Sequence, residues 1–181
     1  MCGPECTYFG VNLQRQKCRL YTGCHSTNSA VPEVGWRYYF PDSEGNDIIH
    51  QLTKNRPALY VSITLTNGTT LYQQYGEFSV NNETDNYRLY LAGPTEGTLG
   101  DSMRSDHDLS GMSFSTPDRD NDRNNINCAA LSDRRGGWWF NACHWAFLNG
   151  PWSPEYWSAP WSPTVRDGEE IKETLMMIKA H

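Results

Sequence analysis

Residues 93–153 constrain the fold most, because this stretch shows almost no helical or strand periodicity. It is rich in Asp, Asn, Gly and Trp instead. Loops of this length are uncommon in a compact domain unless they are functional or are held by something other than a backbone ladder. The sequence offers two such restraints: a pair of cysteines, Cys128 and Cys143, and an acidic run at 118–125 that is able to bind a cation.

Strand-like patterns lie on either side of this stretch. From Ile48 onward the pattern becomes strand-like, and it is clearest over 59–65, where apolar and polar residues alternate. An Asn-Gly pair at 67–68 is a strong hairpin signal. Residues 87–91 alternate again, and residues 170–178 alternate loosely, which predicts a closing strand. We predict an α+β fold with an antiparallel sheet, one long ordered-loop region and no long amphipathic helix.

The cysteines indicate an oxidising compartment. An even number of Cys in a turn-rich chain is typical of a disulfide framework. Two N-glycosylation sequons, at Asn67 and Asn82, favour the same extracellular setting. The start of the chain lacks the apolar run of a signal peptide, so we expect an export signal upstream of Met1 in a longer secreted protein. The six cysteines are Cys2, Cys6, Cys18, Cys24, Cys128 and Cys143.

Residues 1–42 form a separate compositional block that ends in a polar linker. The segment between Cys6 and Cys18 predicts a short β-hairpin, which a Cys6–Cys18 bridge would staple. Cys2 would then pair with Cys24, although four cysteines allow three pairings. Because so short a segment has no core of its own, bridges would have to carry its stability, and an unfolded block is the alternative.

Composition excludes several functions. The formal net charge of −6 and the isoelectric point of about 5.3 give no general attraction to a phosphate backbone, so we expect no nucleic-acid partner. No stretch approaches the roughly 18 apolar residues of a membrane span. No nucleophile-and-base pair or pair of carboxylates stands out, so we predict a protein that is not an enzyme. Cys143-His144 lacks the two further ligands that tetrahedral zinc would need.

The acidic run places carboxylates at alternate positions, at Asp118, Asp120 and Asp122. Calcium binds six to eight oxygens, and alternate acids in a tight loop can converge on one centre while backbone carbonyls complete the shell. The Gly and the distal Glu of an EF-hand are missing. The residues alone therefore leave two interpretations open, a calcium loop or a solvated polar loop.

Five segments, taken in order, resemble the C-terminal domain of fibrinogen, which ficolins, tachylectins, tenascins and angiopoietins share. The resemblance extends over residues 45–181. The family's first strands and first disulfide have no counterpart before Gly45, so we expect an incomplete fibrinogen-like domain over 43–181. The segments are residues 45–53, residues 111–122 leading to Asn127-Cys128-Ala129, residues 136–144, residues 148–150 and residues 171–178.

The resemblance implies a Ca²⁺ site. In it Asp120 and Asp122 supply side-chain oxygens, and Asn124 and Ile126 supply backbone carbonyls.

The resemblance also implies a Cys128–Cys143 bridge and a cis peptide at Cys143. In lectin members, the backbone at the positions of Cys143 and His144, together with the His ring, contacts an acetyl group of the ligand. Two pocket walls of those members do not map here: Ser132 stands where a Tyr is usual, and residues 151–157 are shortened.

Residues 1–42 resemble part of a PAN or apple domain, through the Cys6–Cys18 hairpin and the Cys-Arg-Leu-Tyr that begins at Cys18. Together the resemblances imply a secreted, calcium-stabilised recognition module that binds glycans or acetylated groups in innate immunity or adhesion. The alternative is a matrix or receptor-binding module without a sugar pocket. Missing upstream regions would be the route to an oligomer.

Overall fold

The computed structural model describes residues 7–12, 17–22, 42–131, 136–150, 161–165 and 171–179. The predicted α+β class, with antiparallel pairing and a long loop region, is confirmed. Short 3-10 turns lie at Glu83–Asp85 and Cys128–Ala130. The main elements are β1 (Thr7–Asn12), β2 (Lys17–Thr22), α1 (Asp42–Leu52), β3 (Ala58–Leu65), β4 (Thr70–Tyr75), β5 (Phe78–Val80), β6 (Leu89–Leu91), β7 (Pro94–Gly97) and β8 (Ile171–Lys179).

The central sheet has the strand order β7-β4-β3-β8, and every neighbouring pair is antiparallel. The alternation that predicted β3 is the alternation that the sheet buries, since Leu59, Val61 and Ile63 are at most 1% exposed. Val61 lies between Gln73 of β4 and Met176 of β8. The predicted strand at 59–65 and the predicted closing strand are therefore both confirmed, and the structure shows that they are neighbours.

The turn between β3 and β4 forms at the Asn-Gly pair, as predicted. Gly68 has φ +89°, which is the left-handed region that favours glycine. Its N–H donates to the Leu65 carbonyl at 3.0 Å, and Asn67 Oδ1 accepts from the Thr69 N–H at 2.8 Å. The turn residue and the side chain before it together fix the hairpin.

Residues 42–52 form the helix α1, so the strand-like interpretation from Ile48 onward was wrong for residues 48–52, while it holds from Ala58. Ile49 and Leu52 of the helix pack against the core, and the end of the helix is held by contacts with β5. Thr53 Oγ1 donates to the Ile49 carbonyl at 2.7 Å and accepts from the Val80 N–H at 3.1 Å. His50 Nδ1 lies 2.8 Å from the Val80 carbonyl oxygen. Tertiary hydrogen bonds of this kind leave no periodic signal in the sequence.

A second, two-stranded sheet pairs β5 with β6 and places Phe78 opposite Leu91. The predicted strand at 87–91 is shorter than expected, because Tyr87 has φ +49° and therefore cannot continue an extended strand. Trp139 donates its Nε1–H to the Tyr87 carbonyl at 2.8 Å. This bend thus joins the small sheet to the long loop region.

Large rings fill the core of the loop region. The Trp138 and Trp139 rings lie 5.3 Å apart, and the Phe140 and Phe147 rings lie 5.0 Å apart, both edge-on. Trp161 is fully buried and donates its Nε1–H to the Gly100 carbonyl at 2.8 Å. Aromatic packing therefore takes the place of regular secondary structure here.

Strands β1 and β2 form the predicted antiparallel hairpin, in which Thr7 pairs with Thr22 and Val11 pairs with Cys18. The interpretation of this block as unfolded is therefore wrong for the two strands. Cys2, Cys6 and Cys24 lie outside the described residues, so the pairing of the four N-terminal cysteines remains a prediction. Across the described ranges, no helix is long and apolar enough to cross a membrane.

Candidate recognition site at the disulfide loop

The acidic loop starts from a fixed backbone position. Ser115 and Trp138 exchange two backbone hydrogen bonds, with N···O distances of 2.9 and 3.1 Å. Ser115 is fully buried, and its Oγ accepts from the Asn121 N–H at 3.0 Å. Asn121 Nδ2 donates to the Phe114 carbonyl at 2.7 Å. The middle of the acidic run is therefore tied to the aromatic core.

Asp122 organises the turn that follows. Its Oδ1 accepts from the Asn124 N–H at 2.8 Å, and its Oδ2 accepts from the Cys128 N–H at 2.9 Å. Asp120 Oδ1 accepts from the Asp122 N–H at 3.2 Å. Since each carboxylate oxygen has two lone-pair directions, these bonds leave acceptor capacity on both acids.

The two ends of the acidic run differ electrostatically. Burial raises the pKa of Asp122, and the nearby Asp120 charge adds to this increase, while the N–H groups of Cys128 and Asn124 oppose it. The pKa of Asp118 is lowered instead, mainly because Thr116 Oγ1 donates to its carboxylate. A cation beside Asp120 and Asp122 would favour their charged forms and so relieve the repulsion between them.

The donor chemistry of the loop fits calcium. Among the residues that the structure describes, no three His, Cys, Asp or Glu side chains gather in one place, so a metal here has to rely on two carboxylates and backbone carbonyls. Hard oxygen donors of this kind suit Ca²⁺. Ile126 is 54% exposed, and because its side chain carries no oxygen, only its backbone carbonyl could be a ligand. The ligand set of Asp120, Asp122, Asn124 and Ile126 remains a prediction.

The Cys128–Cys143 disulfide is present, with a Cα–Cα distance of 5.4 Å. Both cysteines are buried. Asn124 Nδ2 lies 3.4 Å from Cys143 Sγ and 3.7 Å from Cys128 Sγ. Asn124 thereby links the acidic loop directly to the disulfide.

The segment that contains Cys143 and His144 is connected to the same loop. Arg123 donates its N–H to the Asn141 carbonyl at 3.0 Å, and Asn141 donates its N–H to the Cys143 carbonyl at 2.9 Å. The centroid of the His144 ring lies 4.9 Å from that of Phe147 and 5.9 Å from that of Phe140.

The backbone at Cys143 differs from the expectation. In the described part of the chain the cis peptide bond is Ser162–Pro163, so the expected cis peptide at Cys143 is wrong. Cys143 has φ +40° instead, a left-handed conformation that is rare for a residue with a side chain. The disulfide and the Asn141 hydrogen bond hold the residue in this position.

Asparagine amides hold the loop, and sequence reasoning missed most of them. Asn127 Nδ2 donates to the carbonyls of Thr116 and Pro117 at 3.0 and 3.3 Å, while its Oδ1 accepts from the Ala129 N–H at 2.9 Å. Asn141 Nδ2 donates to the Asp108 carbonyl at 3.0 Å. The available signal was the density of Asn in an aperiodic stretch, since short amides readily bond to nearby backbone.

The sequon residues lie on the surface, and the positions of the two pocket walls fall outside the described residues. The sequon residues Asn67 and Asn82 are both exposed, one in the β3–β4 turn and one before a 3-10 turn, and their glycosylation remains a prediction. Ser132 and residues 151–157, where the pocket walls were compared, lie outside the described residues.

The fold and the loop define a class: a globe of antiparallel sheet and ordered loops, with a disulfide-closed segment beside an acidic turn. The chain belongs to the fibrinogen C-terminal domain family. The family described as fibrinogen beta and gamma chains, C-terminal globular domain, matches residues 39–179. This finding confirms the resemblance to fibrinogen-like domains, whereas the comparisons do not show the PAN or apple resemblance of the N-terminal block.

Individual relatives agree with this assignment. Ryncolin-4 of Cerberus rynchops is 39% identical over 107 residues, which cover 59% of this chain and 30% of that protein. Angiopoietin-1 of Homo sapiens is 41% identical over 125 residues, covering 64% and 24% respectively. The fibrinogen-like globe domain of human ANGPTL2 matches with a TM-score of 0.66 and 30% identity, over 74% of this chain and 63% of that one. The chain spans less than a third of the length of the two curated relatives.

Proposed function

We propose that this protein is a secreted, calcium-stabilised recognition module that binds a glycan or an acetylated group through Cys143 and His144. The observation that carries the proposal is the set of hydrogen bonds that runs from the acidic turn to the disulfide segment. Asp122 orders the Asn124 backbone, and the Asn124 amide contacts the sulfur atoms of the disulfide. A structural change at the acidic turn would therefore affect the position of Cys143.

Bound Ca²⁺ would supply positive charge to two carboxylates that otherwise repel each other. The side chains of Asp120 and Asp122, with the carbonyls of Asn124 and Ile126, would hold it. The chain's own contribution is to keep the Cys143–His144 backbone in one conformation, so that its polar groups are in place before a ligand arrives. Pre-organisation of this kind improves affinity without adding a contact.

The family supports a binding role over catalysis, because fibrinogen-like domains are generally non-enzymatic binding modules. The buried Cys128–Cys143 disulfide fits an oxidising compartment, which supports secretion. Innate immunity or adhesion would be the setting of such a module.

A protein ligand is the second candidate, and two observations favour it. The His144 ring packs against Phe140 and Phe147, which are buried in the core. These two apolar rings are therefore part of the core rather than walls of a ligand pocket. Ile126 is 54% exposed at the surface of the loop, where an apolar side chain can be buried by a partner. In this case the same loop would present a surface to a matrix protein or a receptor.

Thermal unfolding with excess calcium and with chelator tests the metal site. We expect the midpoint to rise with calcium, because a ligand that binds only the folded state at 100 times its Kd adds about 2.7 kcal/mol. Asp120→Asn and Asp122→Asn should abolish the rise. Asp118→Asn is the matched control, since Asp118 belongs to the same run but lies outside the expected ligand set, and it should keep the full rise. An equal rise in all three variants would refute the site.

Binding to beads that carry N-acetylglucosamine, with glucose beads as the control, tests the ligand class. The proposal expects calcium-dependent retention on the acetylated beads only, and loss of retention in Asp120→Asn. No retention of a folded, calcium-responsive protein would leave the calcium site standing and would refute the acetylated ligand. In that case, Ile126→Ser would be compared with the unchanged chain for binding to extracellular proteins.

A further inference from the structure

The central sheet has two edges that differ in character. The β7 edge is short, and all four of its residues are exposed. Pro94 and Glu96 lie on it, and both a proline and a charged side chain discourage pairing with another strand. Gly97 allows β7 to approach β4 closely, since an added Cβ would lie 2.4 Å from the Tyr72 carbonyl oxygen. This edge is therefore protected by its own sequence.

The β8 edge is protected mainly at its ends, where Lys172, Glu173 and Lys179 lie. Residues 174–178 between them read Thr-Leu-Met-Met-Ile and contain neither a charge nor a proline. Thr174, Met176 and Ile178 are at most 5% exposed, so one face of the strand is fixed in the core. An uncharged stretch of this kind, left with unpaired N–H and C=O groups along one side, would be an aggregation site. Something has to cover it.

Strand β1 lies close to β8. Cα atoms of β1 and β8 approach within 8 Å of each other. Neighbouring strands of one sheet lie about 5 Å apart, whereas two sheets packed face to face lie about 10 Å apart. The approach of β1 to β8 is thus closer than the spacing of two stacked sheets, although the hydrogen-bonded ladders place β1 and β2 in a two-stranded sheet of their own.

We infer that β1 completes the sheet along the free edge of β8, so that the β1–β2 hairpin is an integral part of the domain. The sheet order then becomes β7-β4-β3-β8-β1-β2, and β2 becomes the new edge. Lys17 and Arg19 occupy alternate positions of β2. Cationic residues on an outer strand are one of the ways in which proteins prevent edge-to-edge pairing. Both outer strands of the extended sheet are then protected.

Residue-resolved amide hydrogen exchange on the oxidised full chain tests this inference. Successive N–H groups of a strand point to opposite sides, so a strand with one neighbour protects alternate amides and a strand with two neighbours protects consecutive ones. We expect consecutive protection from Glu173 to Ile178. Strand β3, which pairs with both β4 and β8, is the internal control for that pattern. An alternating pattern in β8 would overturn the inference.

Proline substitutions in β1 then test whether β1 is the strand that covers the free edge of β8. Of two adjacent residues in β1, one directs its N–H to β2 and the other directs it away, so Gly10→Pro and Val11→Pro together include both cases. At least one of them should raise exchange at every second β8 amide by roughly tenfold, the factor that accompanies the loss of about 1.4 kcal/mol. Exchange in β3 should stay unchanged. If both variants leave β8 as protected as before, β1 is not the cover.

A second copy of the chain is the competing occupant of the edge. In that case the protection of β8 would fall on dilution, and sedimentation would show a dimer that dissociates over the same concentration range. Protection that is independent of concentration in a monomer supports the β1 assignment, and protection that follows the dimer refutes it.

Discussion

The central sheet and the loop region over 98–150 achieve the same burial by different means. In the sheet, β3 is paired on both sides, and every second residue enters the core. In the loop region, individual side chains provide the contacts that the backbone hydrogen-bond ladder provides in the sheet. Asn121 and Asn127 bond to backbone carbonyls, a disulfide joins two loop segments, and three aromatic rings pack together.

This difference determines how each region should respond to mutation. A ladder distributes its free energy over many similar bonds, so that one weakened position is supported by its neighbours. In a loop that is held by individual amides and rings, each contact is specific to one residue, so no equivalent bond nearby compensates when that contact is lost. The loop region should therefore lose more stability per substituted polar residue than the sheet does.

The largest effect is expected from removing a ring. Phe140→Ala should lower the free energy of unfolding by about 3 to 5 kcal/mol, because it leaves a cavity between Phe147 and the neighbouring rings. Denaturant unfolding of the oxidised protein measures it. Tyr90→Ala is the control, since Tyr90 is 39% exposed and its loss should cost far less. A loss below about 1 kcal/mol for Phe140→Ala would show that the rings are not the main support.

The disulfide should come next. The paired substitution Cys128→Ser and Cys143→Ser opens a link with a sequence separation of 15. Loop-closure entropy predicts a loss of about 3 kcal/mol. Chemical denaturation of the double variant, beside the parent protein, measures this loss. Amide exchange should rise first over residues 118–131 and leave β3 protected. An equal rise of amide exchange in residues 118–131 and in β3 would show that the disulfide supports both regions and not the loop region alone.

Sequence reasoning succeeded where physical signals are local and periodic. The β3 alternation and the Asn-Gly turn both placed elements correctly, since alternation reports a half-buried strand and a short turn needs positive φ. It failed at α1, whose position depends on hydrogen bonds of Thr53 and His50 to Val80, about 30 residues away. Such contacts have no local pattern.

The candidate site was predictable to a similar degree. The acidic run and the Cys128–Cys143 pair were identified, the latter through family resemblance. The amide of Asn124 against the disulfide was not, and neither was the φ of +40° at Cys143. Both arise from the way two distant loop segments meet, which spacing along the chain does not encode.

Matched asparagines test the contrast between the regions on a smaller scale. Asn127→Ala removes three hydrogen bonds within the loop region, and we expect a loss of about 1 to 2 kcal/mol. Asn67→Ala removes one exposed bond at the β3–β4 turn, and we expect about 0.5 kcal/mol. Urea unfolding of both variants, made without glycosylation, gives the two values. Equal losses would count against the contrast.

Another small effect is expected at Tyr87, where the small β5–β6 sheet meets the loop region. Its hydroxyl donates to Asp47 Oδ1 at 3.0 Å, while its carbonyl accepts from Trp139. Burial, followed by the hydrogen bond and the charge of Asp47, raises the pKa of Tyr87 to about 12. The unfolded chain ionises near pH 10, so the stability due to Tyr87 is complete below that pH and is lost as the pH rises towards 12.

Tyr87→Phe should therefore cost about 1 kcal/mol at neutral pH, through loss of the Asp47 hydrogen bond. Above pH 10 the difference between this variant and the parent protein should narrow, because only the parent loses stability by ionising at this position. Urea unfolding at pH 7, 9, 10 and 11 measures the difference. A constant difference would mean that the Tyr87 hydroxyl is not buried against Asp47, and the bend at Tyr87 would then join the small sheet to the loop region through its backbone alone.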